Sequence, residues 1–373
     1  MKRYLLISFL TILFCLPILN AQPTNKSFTI EANIVGYGNG TAIVSYNNPN
    51  QRIEPDTIAV RNDKFTFTKE IDYPIFMFVK IMNNGTLNRD YQVASALVEH
   101  ASYTLNANVK NIRAMQIEGG VSNPLLKKMY SDAKPVSSKY VDAKNKYRKP
   151  ETDSEKEKEQ LKLNFDDARR DYINFLVNYD GFYSSHAGTY ILSQLSSDIP
   201  AEELVPLISN FTPEVYGNPF YIYLKRKVDA YKRTLPGVMA SDFLLKDLEG
   251  NSYTLESFKN SYLLMTFSAS WCGPCKYEYP FILKAYEKYK EKGLQVIIIN
   301  VDTERKLWEQ FTNEYNFPFP VLSDLTAFSG ELTKNYGVMS IPKVFLIAPS
   351  KEIISATIRQ QKILDKLEEI YNY

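Results

Sequence analysis

Phe267-Ser268-Ala269-Ser270-Trp271-Cys272-Gly273-Pro274-Cys275 is the stretch on which the reading of this chain turns. It ends an apolar run, Tyr262 to Phe267, of the kind found in strands buried on both faces. Beyond it Ile282, Ala285, Tyr286 and Tyr289 recur at helical spacing. The cysteines therefore stand where a buried strand gives way to a helix. Unpaired backbone N–H groups and the helix dipole at such a junction favour negative charge on the first sulfur. The thiolate is the nucleophile, so this makes Cys272 reactive at neutral pH. Two intervening residues put Cys275 one turn inward, close enough to attack a mixed disulfide. Pro274 has the fixed φ that suits a first helical turn. Cys272 is read as the attacking thiol and Cys275 as the resolving thiol.

Cysteine usage points the same way. The one other cysteine, Cys15, lies in an apolar run from Tyr4 to Leu19 that follows Lys2 and Arg3 and precedes Leu19-Asn20-Ala21. That pattern predicts a cleaved export signal over residues 1–21, since the run is shorter than the ~20 residues of a spanning helix. Phe14 stands where lipid attachment at Cys15 would need a small residue. The mature chain then keeps Cys272 and Cys275 as its only possible disulfide. Structural zinc needs four ligands, and the only histidines, His100 and His186, fall in other domains. A lone histidine such as His100 is read as structural. No metal or cofactor is expected.

Working outward, strand Leu294 to Val301 and a helix from Glu304 to Tyr315 follow, then a helical stretch near Thr326 to Tyr336. Strands Lys343 to Ala348 and Glu352 to Ile358 form a hairpin before a last helix. Two apolar strands joined by a helix predict a right-handed parallel βαβ unit. Upstream, Ser241 to Leu248 alternates before a turn at Glu249-Gly250-Asn251, and Leu235-Pro236-Gly237 closes a helical region. That region has helix starts at Asn123-Pro124 and Ile199-Pro200. Its charge run, Glu155-Lys156-Glu157-Lys158-Glu159, reads as a solvated helix face. Before it, Phe28 to Ala32, Thr41 to Val44 and Lys64 to Thr68 alternate, with breaks at Gly36 to Gly40, Asn47 to Asn50 and Asn83-Asn84-Gly85. These predict a small β-sandwich or barrel. The expected architecture is multidomain: signal 1–21, an all-β domain 22–121, a helical domain 122–235 and an α/β domain 236–373. A net charge of +2 over 373 residues gives no electrostatic reason to expect nucleic acid.

The cysteine segment resembles the active site of thioredoxin and its exported TlpA/ResA-like relatives. Pro280 stands where thioredoxins carry a kinking proline, and Ser340-Ile341-Pro342 resembles the loop whose cis-proline faces the dithiol. The resemblance runs from about Ser241 to the end. It implies a thioredoxin fold and a thiol–disulfide oxidoreductase with Cys272, Cys275 and Pro342 catalytic and Trp271, Gly273, Pro274 and Ile341 facing the substrate. Thr266 departs from classical thioredoxins, which have a buried Asp there. Glu278 matches the glutamate of the TlpA/ResA-like branch. A buried carboxylate beside a dithiol can pass a proton between the sulfurs, and the alternative is a helix-surface glutamate. Implied partners are disulfide-containing client proteins and a membrane electron donor, in the periplasm or envelope of a Gram-negative bacterium, with service to cytochrome c maturation or general redox upkeep. The front domains look like uncharacterised domains that precede such modules in some Gram-negative envelope proteins, and carry no implied activity. Two rivals stand beside this reading. One is peroxide reduction, although Met265 and Ala269 occupy the places of the Pro and Thr of peroxiredoxins. The other is a partner-binding envelope protein whose dithiol serves as a tether.

Overall fold

The computed structural model describes residues 26–82, 93–110 and 115–372. The predicted export signal with Cys15, and the predicted break at Asn83-Asn84-Gly85, lie outside them. The chain divides into two compact units, one holding the chain up to Asn47 with Ile53–Pro124, the other Asn48–Arg52 with Leu125 onward.

The first unit is built from β1 (Ser27–Val35), β2 (Gly40–Asn47), β3 (Asp56–Val60), β4 (Lys64–Glu70), β5 (Ile75–Met82), β6 (Val93–Val98), β7 (Ser102–Asn108) and β8 (Gln116–Gly119). They form two four-stranded sheets, ordered β4-β1-β7-β8 and β3-β2-β5-β6. Period-two alternation is the cause: Phe28, Ile30, Ala32 and Ile34 of β1 point inward, as do Tyr103, Leu105 and Ala107 of β7. They share one core with Val44, Met77, Val79 and Ile81 of the other sheet. The β1–β7 pairing is parallel, which the sequence did not announce. His100 places Nε2 2.6 Å from the Ile71 carbonyl, a structural contact.

From Ser122 the chain turns helical: α1 (Ser122–Asp132), α2 (Lys134–Arg148), α3 (Glu155–Val177), α4 (His186–Leu195), α5 (Ala201–Ser209) and α6 (Pro219–Arg233). Ser154 caps α3 by accepting from the Glu157 N–H at 3.4 Å, and the charge run after it is largely exposed, as a solvated face would be. The helices are tied by Asp198, which accepts from Tyr140 and Lys144 and from Arg148 at 3.0 Å, while buried Arg169 donates to the Asp198 carbonyl at 2.8 Å. Burial pushes the Asp198 carboxyl up, but the hydrogen bonds from Lys144 and Tyr140 and the charges of Lys144 and Arg148 outweigh it and hold it below the usual range.

The C-terminal part contains β9 (Leu245–Lys246), β10 (Ser252–Tyr253), β11 (Tyr262–Ser268), α7 (Gly273–Lys276), α8 (Tyr279–Tyr289), β12 (Leu294–Asn300), α9 (Arg305–Tyr315), β13 (Val321–Leu322), α10 (Glu331–Asn335), β14 (Lys343–Ile347), β15 (Ile353–Ser355) and α11 (Gln361–Tyr371). Its main sheet runs β13-β12-β11-β14-β15, with β11, β12 and β13 parallel and β14 antiparallel to β11. The helix after the cysteines is interrupted near Pro280, where the resemblance implied a kink, because this residue has no N–H to continue the ladder. Two expectations change. The predicted helical stretch near Thr326 divides into a 3-10 turn at Ala327–Ser329 and α10, because Gly330 between them is extended, with φ −63° and ψ 157°. The strand predicted from Glu352 to Ile358 keeps only Ile353–Ser355.

The Leu235-Pro236-Gly237 break is no free linker. Gly237 N–H donates to Ile353 O at 2.9 Å, Ile353 N–H to Val238 O at 2.8 Å and Ala240 N–H to Lys351 O at 2.8 Å. Helix α6 packs on the segment before Pro342 at Gly337, where φ is +60° and a Cβ would sit 2.1 Å from that of Ala230. Arg233 also caps α10 by donating to the Lys334 carbonyl at 3.2 Å. Gly337→Val therefore loses about 2–3 kcal/mol through left-handed backbone strain and overpacking. The midpoint of urea unfolding measures it, and an unchanged midpoint would refute the close packing.

Candidate active site

β11 delivers the dithiol from the middle of the sheet. Its last residue, Ser268, places Oγ 2.6 Å from the Tyr279 hydroxyl, and its carbonyl accepts from Val301 N–H at 2.9 Å. Burial pushes the Tyr279 hydroxyl up to about 12, against a lowering from its bond to Ser268. The loop that follows is held from the neighbouring strand by fully buried Asp302. This carboxylate accepts from Ser270 N–H at 3.0 Å, Ser270 Oγ at 2.9 Å and Asn300 Nδ2 at 2.7 Å. Asn300 Oδ1 in turn accepts from the Asp302 N–H at 3.0 Å. The Ser270–Trp271 segment is thus fixed before Cys272 is reached.

Cys272 and Cys275 form a disulfide, with Sγ–Sγ 1.99 Å and Cα–Cα 5.4 Å. The Cys272 sulfur also accepts the Cys275 N–H at 3.2 Å. Cys272 keeps 3% of its surface and Cys275 none, while Trp271 is 59% exposed beside them. Because α7 is a single turn, its dipole is short. The Cys275 N–H that faces the sulfur supplies the local positive field instead.

The Ile341-Pro342 bond is cis, with Pro342 buried and Ile341 half-buried. Lys343, which follows, pairs with Phe267, so this loop leaves the sheet at the end from which the dithiol departs. Glu278 is fully buried and is no helix-surface residue. Its Oε1 lies 2.5 Å from Arg359 Nε and its Oε2 accepts from Gln360 N–H at 2.8 Å. A buried carboxylate is tolerable when paired and hydrogen-bonded in this way.

The model of the AhpC/TSA family matches residues 236–356, and that of a domain of unknown function, DUF4369, matches residues 28–126. The chain is 35% identical over 133 residues to a thiol-disulfide oxidoreductase ResA of Bacillus thuringiensis, covering 36% of this chain and 75% of the relative. The chain belongs to the ResA family of thiol-disulfide oxidoreductases. ResA of Geobacillus thermodenitrificans is 31% identical over 137 residues, with 36% and 77% covered. A solved thiol-disulfide oxidoreductase from Bacteroides fragilis is similar at 28% identity and a TM-score of 0.34, covering 35% of this chain and 98% of that one.

In this ResA-family chain the sequence pointed to the cysteines, Glu278 and the Pro342 loop as site candidates, but not to the groups bonded around them. Asn300 ends an apolar strand beside the dithiol strand and Asp302 follows it two residues on, a signal that was readable. Arg359, separated from Glu278 by 81 positions, offered none. Phe328, whose ring lies 6.4 Å from that of Trp271, stands in the helical stretch read near Thr326, where nothing marked it as a neighbour of the dithiol loop. Asp302→Ala strands the Ser270 N–H and the Asn300 amide, at about 1–3 kcal/mol for each buried group. We expect a stability loss of about 3 kcal/mol and a slower disulfide exchange, read from urea unfolding and an insulin assay. A variant as stable and fast as the parent would show that the loop holds itself.

Proposed function

We propose that this oxidoreductase is an exported reductant of disulfide-containing client proteins, working through Cys272 and Cys275. The carrying observation is the pair's asymmetry: the Cys272 sulfur is at the surface edge and accepts an N–H, whereas Cys275 is closed off. In the reduced form the Cys272 thiolate attacks a client disulfide and forms a mixed disulfide. One client sulfur leaves and is protonated. Cys275 then loses its proton and attacks the Cys272 sulfur, giving the Cys272–Cys275 disulfide and the second client thiol. Two electrons pass to the client, and a membrane-borne dithiol donor restores the pair. Glu278 accepts the Cys275 proton in this reading, and Arg359 positions it. Pro342 and Ile341 meet the client backbone beside Trp271, Gly273 and Pro274.

The direction follows from chemistry near the sulfurs. Gly273-Pro274 is the dipeptide of thioredoxin, whose potential is about −270 mV, against about −120 mV for a strong oxidant. Of the nearby cations, Lys276 is half-exposed with its Nζ 3.9 Å from Glu314, and Arg359 is paired with Glu278. Export rests on the residue 1–21 pattern, and the resemblance to TlpA/ResA-like envelope proteins supports a location in the periplasm or envelope of a Gram-negative bacterium. Among the described residues no helix is long and apolar enough to cross a membrane. Cytochrome c maturation is one pathway this chemistry would serve. The AhpC/TSA match favours one rival, peroxide reduction. Against it, buried Met265 and Ala269 offer no hydrogen bond to polarise a peroxide.

Insulin reduction tests the proposal. Cys272→Ser abolishes it, Cys275→Ser accumulates a mixed disulfide, and glutathione equilibration gives a potential below about −180 mV. Faster alkylation of Cys275 than Cys272, or peroxide consumption without insulin reduction, would overturn it. Glu278→Gln slows exchange about tenfold or more near neutral pH without unfolding the protein, as loss of a general base would. An unchanged pH–rate profile would reduce Glu278 to a packing residue.

A further inference from the structure

A cavity of about 710 Å3 opens between α6 and the segment leading into Pro342. Lys227 and Tyr231 of α6, Glu202 of α5, and Met339, Ser340 and Lys343 on either side of the cis bond are among its walls. Lys227 and Lys343 are half-buried, and neither makes an ion pair among the described residues. Lys227 donates to the Ser196 carbonyl, and Lys343 Nζ lies 5.4 Å from the Phe345 ring centroid. Asp198 is already committed to Lys144 and Arg148, and Glu202 is exposed. Burial holds both ammonium groups below the usual lysine range, Lys227 at about 8, where the Lys343 charge lowers it and the Asp198 charge raises it. Two such groups without a counter-ion weaken the fold unless an anion joins them.

The cavity also lies at the end of the sheet from which the dithiol departs. Lys343 is opposite Phe267, at the end of β11 that continues to Cys272. Met339 lines a second, smaller cavity together with Phe328. Phe328 in turn meets Trp271, the residue before Cys272. A polypeptide in exchange at Cys272 therefore has a path along Phe328 and Met339 to the lysines.

We infer that this cavity binds a carboxylate side chain of the client polypeptide, close to its reacting disulfide, through Lys227 and Lys343. The inference rests on the reading that Cys272 exchanges with client proteins. Salt-linked hydrogen bonds at a part-buried site also give the exchange a specificity that the dithiol alone lacks.

The test uses the full chain and two peptides with the same disulfide, one with Glu and the other with Gln beside the cysteine. For the wild type we expect a KM about tenfold lower for the Glu peptide, the size of a charge-assisted bond. Lys227→Met and Lys343→Met should each bring the ratio of the two peptides to about one, and Lys227→Arg should keep it. The ratio is taken within one preparation, so a loss of folded protein does not alter it. Equal KM values on the wild type would overturn the inference without any variant. So would a preference that survives both substitutions, or citrate inhibition equal for the two peptides, which would assign the cavity to a free anion. If the wild type fails to reduce even the Gln peptide, the exchange reading falls and takes the inference with it.

Discussion

The hydrogen bonding of β11 to a parallel strand on one side and an antiparallel strand on the other sets everything around the sulfurs. From the parallel neighbour comes Asp302, which grips the backbone of Ser270. From the antiparallel neighbour comes Lys343, which brings Pro342 to the same end of the sheet. A one-residue slip in either ladder would turn side chains over and carry away the group that ladder supplies. Chemistry at the dithiol is therefore a property of the register of three strands, more than of the four residues Cys272 to Cys275.

Much of this was legible because the signals are local. Strand β11 and the helices α8 and α9 announce themselves by apolar period, and the cysteine pair by spacing. What failed was either competition or distance. The stretch from Thr326 to Tyr336 looked like one helix, yet Gly330 is extended and splits it into a 3-10 turn and α10. Glu278 could be named from its place after Cys275, but its burial depends on Arg359 and Gln360, which arrive from the far end of the domain. Lys227 sits among Lys225, Arg226 and Lys232, a sequence that reads as a solvated helix face. Only packing tells the half-buried lysine from its exposed neighbours.

The helical region and the α/β part were read as separate domains, yet they fall in one compact unit. Gly337 against Ala230, and Arg233 over the end of α10, join them by close packing and hydrogen bonds. Helix α6 thereby becomes part of the dithiol's surroundings. The β-sandwich is complete in itself, with one core between its two sheets.

The segment Gly237–Ala240 has a consequence of another kind. β15 is the last strand of its sheet, and its outer side would otherwise show unpaired N–H and C=O groups to solvent. Such an edge is a template on which a second molecule's strand can add. The backbone from Gly237 to Ala240 occupies that edge, bonded to Ile353 and Lys351. Four residues at the close of the helical region thus act as a selvedge, keeping the sheet from growing from one molecule into the next.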